Sequence, residues 1–394
     1  MPLVFAKDLY RRLDRMLGEL HARLRGQEFL EQALYAVFDA HARELGSSGA
    51  QLFAHGGAQD GKLLESIARV GRIEGVGSSP LALAAFHAHP ESGGRVRLIA
   101  DGEDAAQPLA FFEIAAGARP FVFLFRFEPG WDRGAAELVL NTTCSILSVK
   151  LAEERLGNAM REAAEIQRSL LPAAAPVFPG FDIAARSQPA EQVGGDWFDY
   201  LPLGEGSLGI SIGDASGHGL PAALMARDVV IGLRMGIEKE LKAGHALEKL
   251  NRVLHASTLS SCFASLLYGE LEENGSFFYY NAGHDAPLLV TEAGCTLLRT
   301  DGTVLGPLPE ARFRRHFAHL DHGALLALYT DGMLERRSRA GELYGLERLQ
   351  AVLQAGCALP AAELIERCFA ELERFGGNGS TPDDQTLLVV KRAR

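Results

Sequence analysis

Cysteine is scarce in this chain and shows no pairing pattern. Cys144, Cys262, Cys295, Cys357 and Cys368 are odd in number, scattered, and form no Cys-x-x-Cys. That argues against a disulfide framework and favours reduced, partly buried thiols in a cytoplasmic protein. Positive charge is also in deficit: 39 Lys and Arg face 50 Asp and Glu, a net charge of −11 at pH 7. Such a balance argues against a broad phosphate-tracking surface for nucleic acid. No apolar run approaches the roughly 18 to 20 residues of a membrane span. The opening Met1-Pro-Leu-Val-Phe-Ala-Lys7 lacks the apolar core of a targeting segment. A soluble protein that engages neither nucleic acid nor membrane is expected.

What is present is a globular composition, 47% hydrophobic and 23% charged over 394 residues. That length exceeds one ordinary core, so two domains are expected. Residues 1 to 132 begin with helical material between Asp8 and Leu45, where Leu9, Leu13, Leu17 and Leu20 recur at three- and four-residue spacing. Apolar runs follow at Ala50–Ala54, Val96–Ala100 and Phe121–Phe127, broken by Gly56-Gly57. This predicts an α+β module. His87 and His89, an i,i+2 pair without a third ligand, read as ordinary surface.

Residues 133 to 172 read as one long helix. Val149, Leu156, Ala163 and Leu170 repeat every seven residues, with Ile146 and Met160 in the other seam beside polar Glu153 and Gln167. A linker that forms a parallel dimer is expected, with an amphipathic helix packed within one chain as the alternative. Pro172, Pro176 and Pro179-Gly180 close it.

Residues 173 to 394 are rich in strands, at 183–186, 208–213, 263–271, 277–280, 288–290, 324–329 and 386–391. Helices are expected near 222–241, 246–259, 346–353 and 361–375, and Glu273-Asn-Gly-Ser276 is a hairpin signal. Strands grouped between helix pairs predict an α/β sandwich. The centre of this region is Ser211-Ile-Gly-Asp-Ala-Ser-Gly-His-Gly-Leu-Pro221. Leu208, Ile210 and Ile212 alternate as a half-buried strand, the strand delivers Asp214 to a glycine-rich turn, and Pro221 fits the first turn of a helix.

Three further acidic positions stand in similar settings: Asp196 in Val193-Gly-Gly-Asp-Trp-Phe-Asp199, Asp331 in Tyr329-Thr-Asp-Gly332, and Asp383-Asp384 in Pro382-Asp-Asp-Gln-Thr386. Carboxylates gathered at strand ends repel one another unless cations sit between them. Hard, oxygen-seeking Mg²⁺ or Mn²⁺ would satisfy the set without His or Cys. Two such ions would activate water and brace an in-line displacement at phosphorus. His218 is a candidate for contacting phosphate or donating a proton to a leaving group. His284, in Asn281-Ala-Gly-His, reads as part of a structural turn.

In order, Val193-Gly-Gly-Asp, Gly213-Asp-Ala-Ser-Gly-His-Gly, Asn281-Ala-Gly-His-Asp-Ala-Pro, Tyr329-Thr-Asp-Gly and Asp383-Asp-Gln-Thr resemble the motifs of the SpoIIE-type, RsbU-like branch of the metal-dependent serine/threonine protein phosphatases (PPM). The lead-ins Gln167-Arg-Ser-Leu-Leu-Pro172 and Pro189-Ala-Glu-Gln-Val193 fit as well. The resemblance implies an α-β-β-α sandwich holding two Mn²⁺ or Mg²⁺ ions. It further implies that Asp214 bridges both ions, Ala215 offers its carbonyl, Asp196 completes one shell, and Asp331 with Asp383 ligates the other. Asp384 is the alternative to Asp383, or a hydrogen-bond partner of a metal-bound water. It also implies attack by a water between the metals on a phosphoserine or phosphothreonine protein, an anti-sigma-factor antagonist being the substrate type. Residues 1 to 132 resemble the GAF sensor family in outline, with an unassigned small-molecule or protein input. Gly194-Gly-Asp-Trp-Phe198 approaches the diguanylate cyclase signature but lacks its glutamate. Two rival readings are a docking module with a surviving phosphatase fold and a phosphohydrolase for small molecules.

Overall fold

The computed structural model describes residues 3–55, 64–73, 96–99, 108–116, 119–204, 206–237, 242–257, 262–299, 301–377 and 381–393. Gly56-Gly57, His87 and His89 lie outside them. The chain divides into two compact units, Met1–Ala159 and Met160–Arg394.

The first unit opens with helices α1 (Leu3–His21) and α2 (Gly26–Leu45). The helical stretch expected to Leu45 is therefore interrupted, and Gly26 resumes it at φ +53°, a backbone that suits glycine. Among the described residues, five antiparallel strands follow: β1 (Ser47–His55), β2 (Leu64–Gly71), β3 (Arg97–Ile99), β4 (Leu109–Ala116) and β5 (Arg119–Phe127), in the order β2-β1-β5-β4-β3. Helix α3 runs from Arg133 to Arg168 and crosses the division between the units.

The periodic Leu9, Leu13 and Leu17 are buried with Phe29, Leu30 and Leu34 of α2, and with Phe112, Phe123 and Phe125 of the sheet. By length and composition α3 is apolar enough to cross a membrane, which the sequence reading did not anticipate. Val139, Leu140, Cys144, Leu147 and Leu151 are nevertheless buried in this unit's core, as in a core helix of a globular protein. The seven-residue seam differs: Val149 and Leu156 are 55% and 63% exposed.

The second unit contains two five-stranded antiparallel sheets. One is built from β7 (Trp197–Pro202), β8 (Ser207–Ala215), β9 (Ala264–Glu272), β10 (Ser276–Ala282) and β13 (Arg315–His319), in the order β13-β10-β9-β8-β7. The other is built from β6 (Phe181–Gln188), β11 (Leu288–Thr291), β12 (Gly294–Leu297), β14 (Leu325–Tyr329) and β15 (Gln385–Arg392), in the order β12-β11-β14-β15-β6. The expected hairpin joins β9 to β10, with Gly275 at φ +93°.

Alternation along the strands assigns each face. Phe198, Tyr200, Leu208, Ile210, Ile212, Leu326, Leu328, Leu388 and Val390 fill the space between the sheets. The intervening residues face outward. Trp197, Ala215, Leu266 and Tyr268 pack under α4 (Gly219–Gly236) and α5 (Ala243–Ser257). Leu325, Ala327, Leu387 and Val389 pack under the short α6 (Gly332–Glu335), α7 (Gly345–Ala355) and α8 (Ala361–Gly376). The unit is an α-β-β-α sandwich.

Strand β7 escapes a hydrophobicity reading because its centre carries Asp199, which is 2% exposed. Both of its oxygens are taken by Arg234 of α4, at 2.7 and 3.0 Å, and Oδ1 also accepts the Tyr200 N–H. This pair fixes α4, and with it the turn after Asp214, to the sheet. Removing one partner strands a buried charge. Arg234→Ala is expected to cost about 2 to 3 kcal/mol in denaturant unfolding, a discounted figure because the arginine is partly solvated. A loss below about 0.5 kcal/mol would show that the pair does not hold the helix.

Candidate metal centre

The alternation that builds the core also builds the site. Two residues beyond Ile212 on the same face comes Asp214; two before Phe198 comes Asp196; two beyond Leu328 comes Thr330; two before Leu388 comes Thr386. Trp197 pairs with Gly213, and Tyr329 with Leu387, so these strand ends lie together within each sheet. The two sheets meet at Asp196. Its Oδ2 accepts the Thr330 hydroxyl at 2.7 Å and the Thr386 hydroxyl at 2.6 Å. Thr330 Oγ1 in turn accepts the Thr386 N–H at 3.0 Å.

Asp384 organises the loop that carries Asp196. Its carboxylate accepts the main-chain N–H groups of Ala190 at 2.7 Å, Gly195 at 2.6 Å and Asp196 at 3.4 Å. The loop needs its glycines for this. A Cβ on Gly194 would lie 2.1 Å from Asp384 Oδ2, and one on Gly195 would lie 2.6 Å from the Ala215 carbonyl oxygen and 2.8 Å from Asp214 Oδ1. The space beside two oxygen donors, the Asp214 carboxylate and the Ala215 carbonyl, therefore depends on a missing side chain.

Burial and mutual repulsion raise the acidic pKa values. Burial, then Asp331, Asp383 and Asp384, push Asp214 up to about 8. Burial and then Asp383, Asp285 and Glu335 push Asp331 up to about 6. Asp196 is held well above the usual carboxylate range by burial and then by Asp214, against its two threonine donors. Asp384 is raised by burial, opposed by its three amide donors. Among the described residues no three His, Cys, Asp or Glu side chains already close on a common point. An all-oxygen set of carboxylates and one carbonyl fits Mg²⁺ or Mn²⁺ and suits neither zinc nor a thiophilic metal.

Of the residues singled out from sequence, Asp214 feels the charges of Asp331, Asp383 and Asp384, and Asp196 those of Asp214 and Asp384; Ala215 is buried beside Gly195, whose carbonyl accepts its N–H at 3.2 Å. His218 stands apart: its side chain is 85% exposed and its Nδ1 lies 3.1 Å from Glu191. Asn281 closes the turn at His284, its side chain pairing with the His284 N–H at 2.8 Å and carbonyl at 2.9 Å. The His284 ring is buried, its Nδ1 lies 2.7 Å from the Ser265 hydroxyl, and burial lowers its pKa to about 4. Sequence reasoning passed over Thr330 and Thr386, which strand parity would have found, and Asp285, whose charge acts on Asp331.

The sequence profile of Stage II sporulation protein E (SpoIIE) matches residues 204–393. The phosphoserine phosphatase RsbU of Bacillus subtilis is 28% identical over 243 residues, covering 61% of this chain and 72% of RsbU. Among solved structures, the SiaA-PP2C domain of Pseudomonas aeruginosa is 22% identical with a TM-score of 0.55, over 62% of this chain and 99% of that domain. The RsbU and RsbW domains of a Mycobacterium tuberculosis protein are 33% identical with a TM-score of 0.50, over 57% of this chain and 63% of that one.

The raised carboxyl groups bind protons in the native state that the unfolded chain has already released. Without divalent ions, their contribution to stability is full below about pH 4 and is lost as pH rises through about 6 and 8. Divalent ions need the ionised carboxylates and should reverse this trend. In thermal unfolding, the Mn²⁺-induced rise in Tm is expected to be larger at pH 8.5 than at pH 6. An Mn²⁺ shift independent of pH would contradict the assignment.

Proposed function

We propose that the chain works as a member of the SpoIIE-type, RsbU-like branch of the metal-dependent serine/threonine phosphatases, the family whose model matches residues 204–393. It is a protein-serine/threonine phosphatase that acts on a phosphorylated signalling protein, of the anti-sigma-factor antagonist type. The observation that carries this is the set of carboxylates gathered at the strand ends, where burial and then the charge of neighbouring acids raise Asp214 and Asp331 in pKa. A docking module has no need of that costly charge cluster.

We assign Asp214, Asp196, the Ala215 carbonyl, Asp331 and Asp383 as the groups that would hold two Mn²⁺ or Mg²⁺ ions, Asp214 being the one shared by both. Asp383 is preferred over Asp384 because Asp384 spends its oxygens on three main-chain amides. Ions bound there supply positive charge to phosphoryl oxygens and a water acidic enough to react at neutral pH. The chain's own contribution is orientation: Thr330 and Thr386 hold one Asp196 oxygen and leave the other to the metal, and Asp384 sets the loop. His218, solvated at the rim, is assigned to meeting the phosphoprotein.

The N-terminal unit is read as a GAF-like regulatory module, its helix–strands–helix order supporting that outline. Exposed Val149 and Leu156 support a parallel dimer along α3, and the composition of few, unpaired cysteines supports a cytoplasmic setting. Light scattering is expected to give twice the chain mass; a monomer for both the full chain and residues 130–394 would remove the dimer.

Purified chain with Mn²⁺ is expected to release phosphate from a phosphoserine protein in preference to nucleoside phosphates. Asp214→Asn and Asp331→Asn should each lower kcat/KM by at least about a hundredfold, as loss of a metal ligand does. Full activity in both variants, or a preference for nucleotides, would overturn the assignment.

A further inference from the structure

The alternation that delivers the oxygen donors also delivers an aromatic ring. On β9, Leu267 lies between the sheets and Ser265 pairs with Asp214. Two residues further out, at the same parity, stands Phe263, 41% exposed. Its main chain is tied to the turn after Asp214: the Phe263 carbonyl accepts the Ser216 N–H at 2.8 Å, and the Phe263 N–H donates to the Ser216 hydroxyl at 2.9 Å.

One exposed apolar side chain is ordinary, whereas a cluster marks a contact surface. Phe263 belongs to a cluster. Leu220 and Leu224, one helical turn apart on α4, are 36% and 51% exposed, and α4 begins five residues after Asp214. The two elements meet at Gly306, where an added Cβ would lie 3.7 Å from Phe263 Cα and 3.9 Å from Met225 Cε. Two residues on, Leu308 is 54% exposed. The segments that carry these side chains, 214–226, 262–269 and 303–309, contain no lysine or arginine. His218, within the first of them, lies beside Glu191.

A phosphoserine at the metal centre brings the residues on either side of it across this rim. Acidic flanks would meet no lysine or arginine on these segments and would face the carboxylate set, on a chain of net charge −11. Apolar flanks would instead cover phenylalanine and leucine side chains that are otherwise in water. We infer that Phe263, Leu220 and Leu224 form an apolar docking rim for the phosphoprotein, one that selects phosphoserine sites flanked by apolar residues over sites flanked by acids. This rests on the proposed phosphatase reading and gives that site its sequence preference.

The test uses the full chain with Mn²⁺ and three probes: p-nitrophenyl phosphate, and two phosphoserine peptides of equal length with either leucine or glutamate on both sides of the phosphoserine. The wild type is expected to turn over the leucine peptide with a kcat/KM about tenfold or more above that of the glutamate peptide, the scale of partly burying one or two large apolar side chains. Phe263→Ala and Leu224→Ala should each lower the ratio of leucine-peptide to p-nitrophenyl phosphate kcat/KM by about threefold to tenfold, through the peptide KM. Phe317→Ala, which removes an exposed aromatic on β13, three strands away from β8, should keep the wild-type ratio. Equal turnover of the two peptides, turnover of p-nitrophenyl phosphate alone, or a ratio that Phe263→Ala and Leu224→Ala leave unchanged would overturn the inference. Variants that alter only the chain mass in light scattering would make the rim a contact between copies, and overturn it as well. A wild type that releases phosphate from none of the three probes would instead remove the phosphatase reading itself, and the inference with it.

Discussion

The repulsion among buried carboxylates at the mouth of the sandwich is the constraint on which the rest of this structure depends. Asp196, Asp214, Asp331 and Asp384 are raised in pKa first by burial and then by the charges of neighbouring acids, Asp383 among them. An isolated fold would gain stability by dispersing them. Instead the surrounding chain is arranged to hold them: two threonine hydroxyls on Asp196, three amides on Asp384, a bidentate arginine under the neighbouring helix. Such an arrangement is stable when cations supply the missing charge, so fold and metal requirement are one problem.

Period-two alternation solves that problem economically. The strand faces that pack Ile210, Ile212, Leu328 and Leu388 between the sheets continue, past the last apolar residue, into the oxygen donors and the hydroxyls that orient them. The antiparallel neighbours Trp197–Gly213 and Tyr329–Leu387 then bring the ends together. Because the donors sit at the ends of well-packed strands, their positions follow from the core, and the loops between them need only the right glycines.

Most of the sandwich was legible in the sequence because its central strands alternate cleanly and end in turn formers. Strands β7, β12 and β13 were not, since β7 carries a buried Asp199 whose charge is met by Arg234, and β12 and β13 are short with exposed residues. Local pattern cannot anticipate a charge paired across 35 positions. At the site, Asp196, Asp214 and Asp331 were visible as Asp beside Gly and Asp383-Asp384 as paired acids, whereas the roles of Thr330 and Thr386 depend on contacts 134 and 190 residues apart. His218, in the central motif, lies in solvent beside Glu191.

The central claim, that this mouth is shaped to hold divalent ions, is tested most directly by counting Mn²⁺ bound per chain in equilibrium dialysis, for the wild type and for Gly195→Ala. The added methyl would stand 2.6 Å from the Ala215 carbonyl oxygen and 2.8 Å from Asp214 Oδ1, in the space assigned to the metal. The account predicts about two ions on the wild type and loss of binding in the variant with its fold retained. A wild type that binds none, or a variant that binds as many, would contradict it.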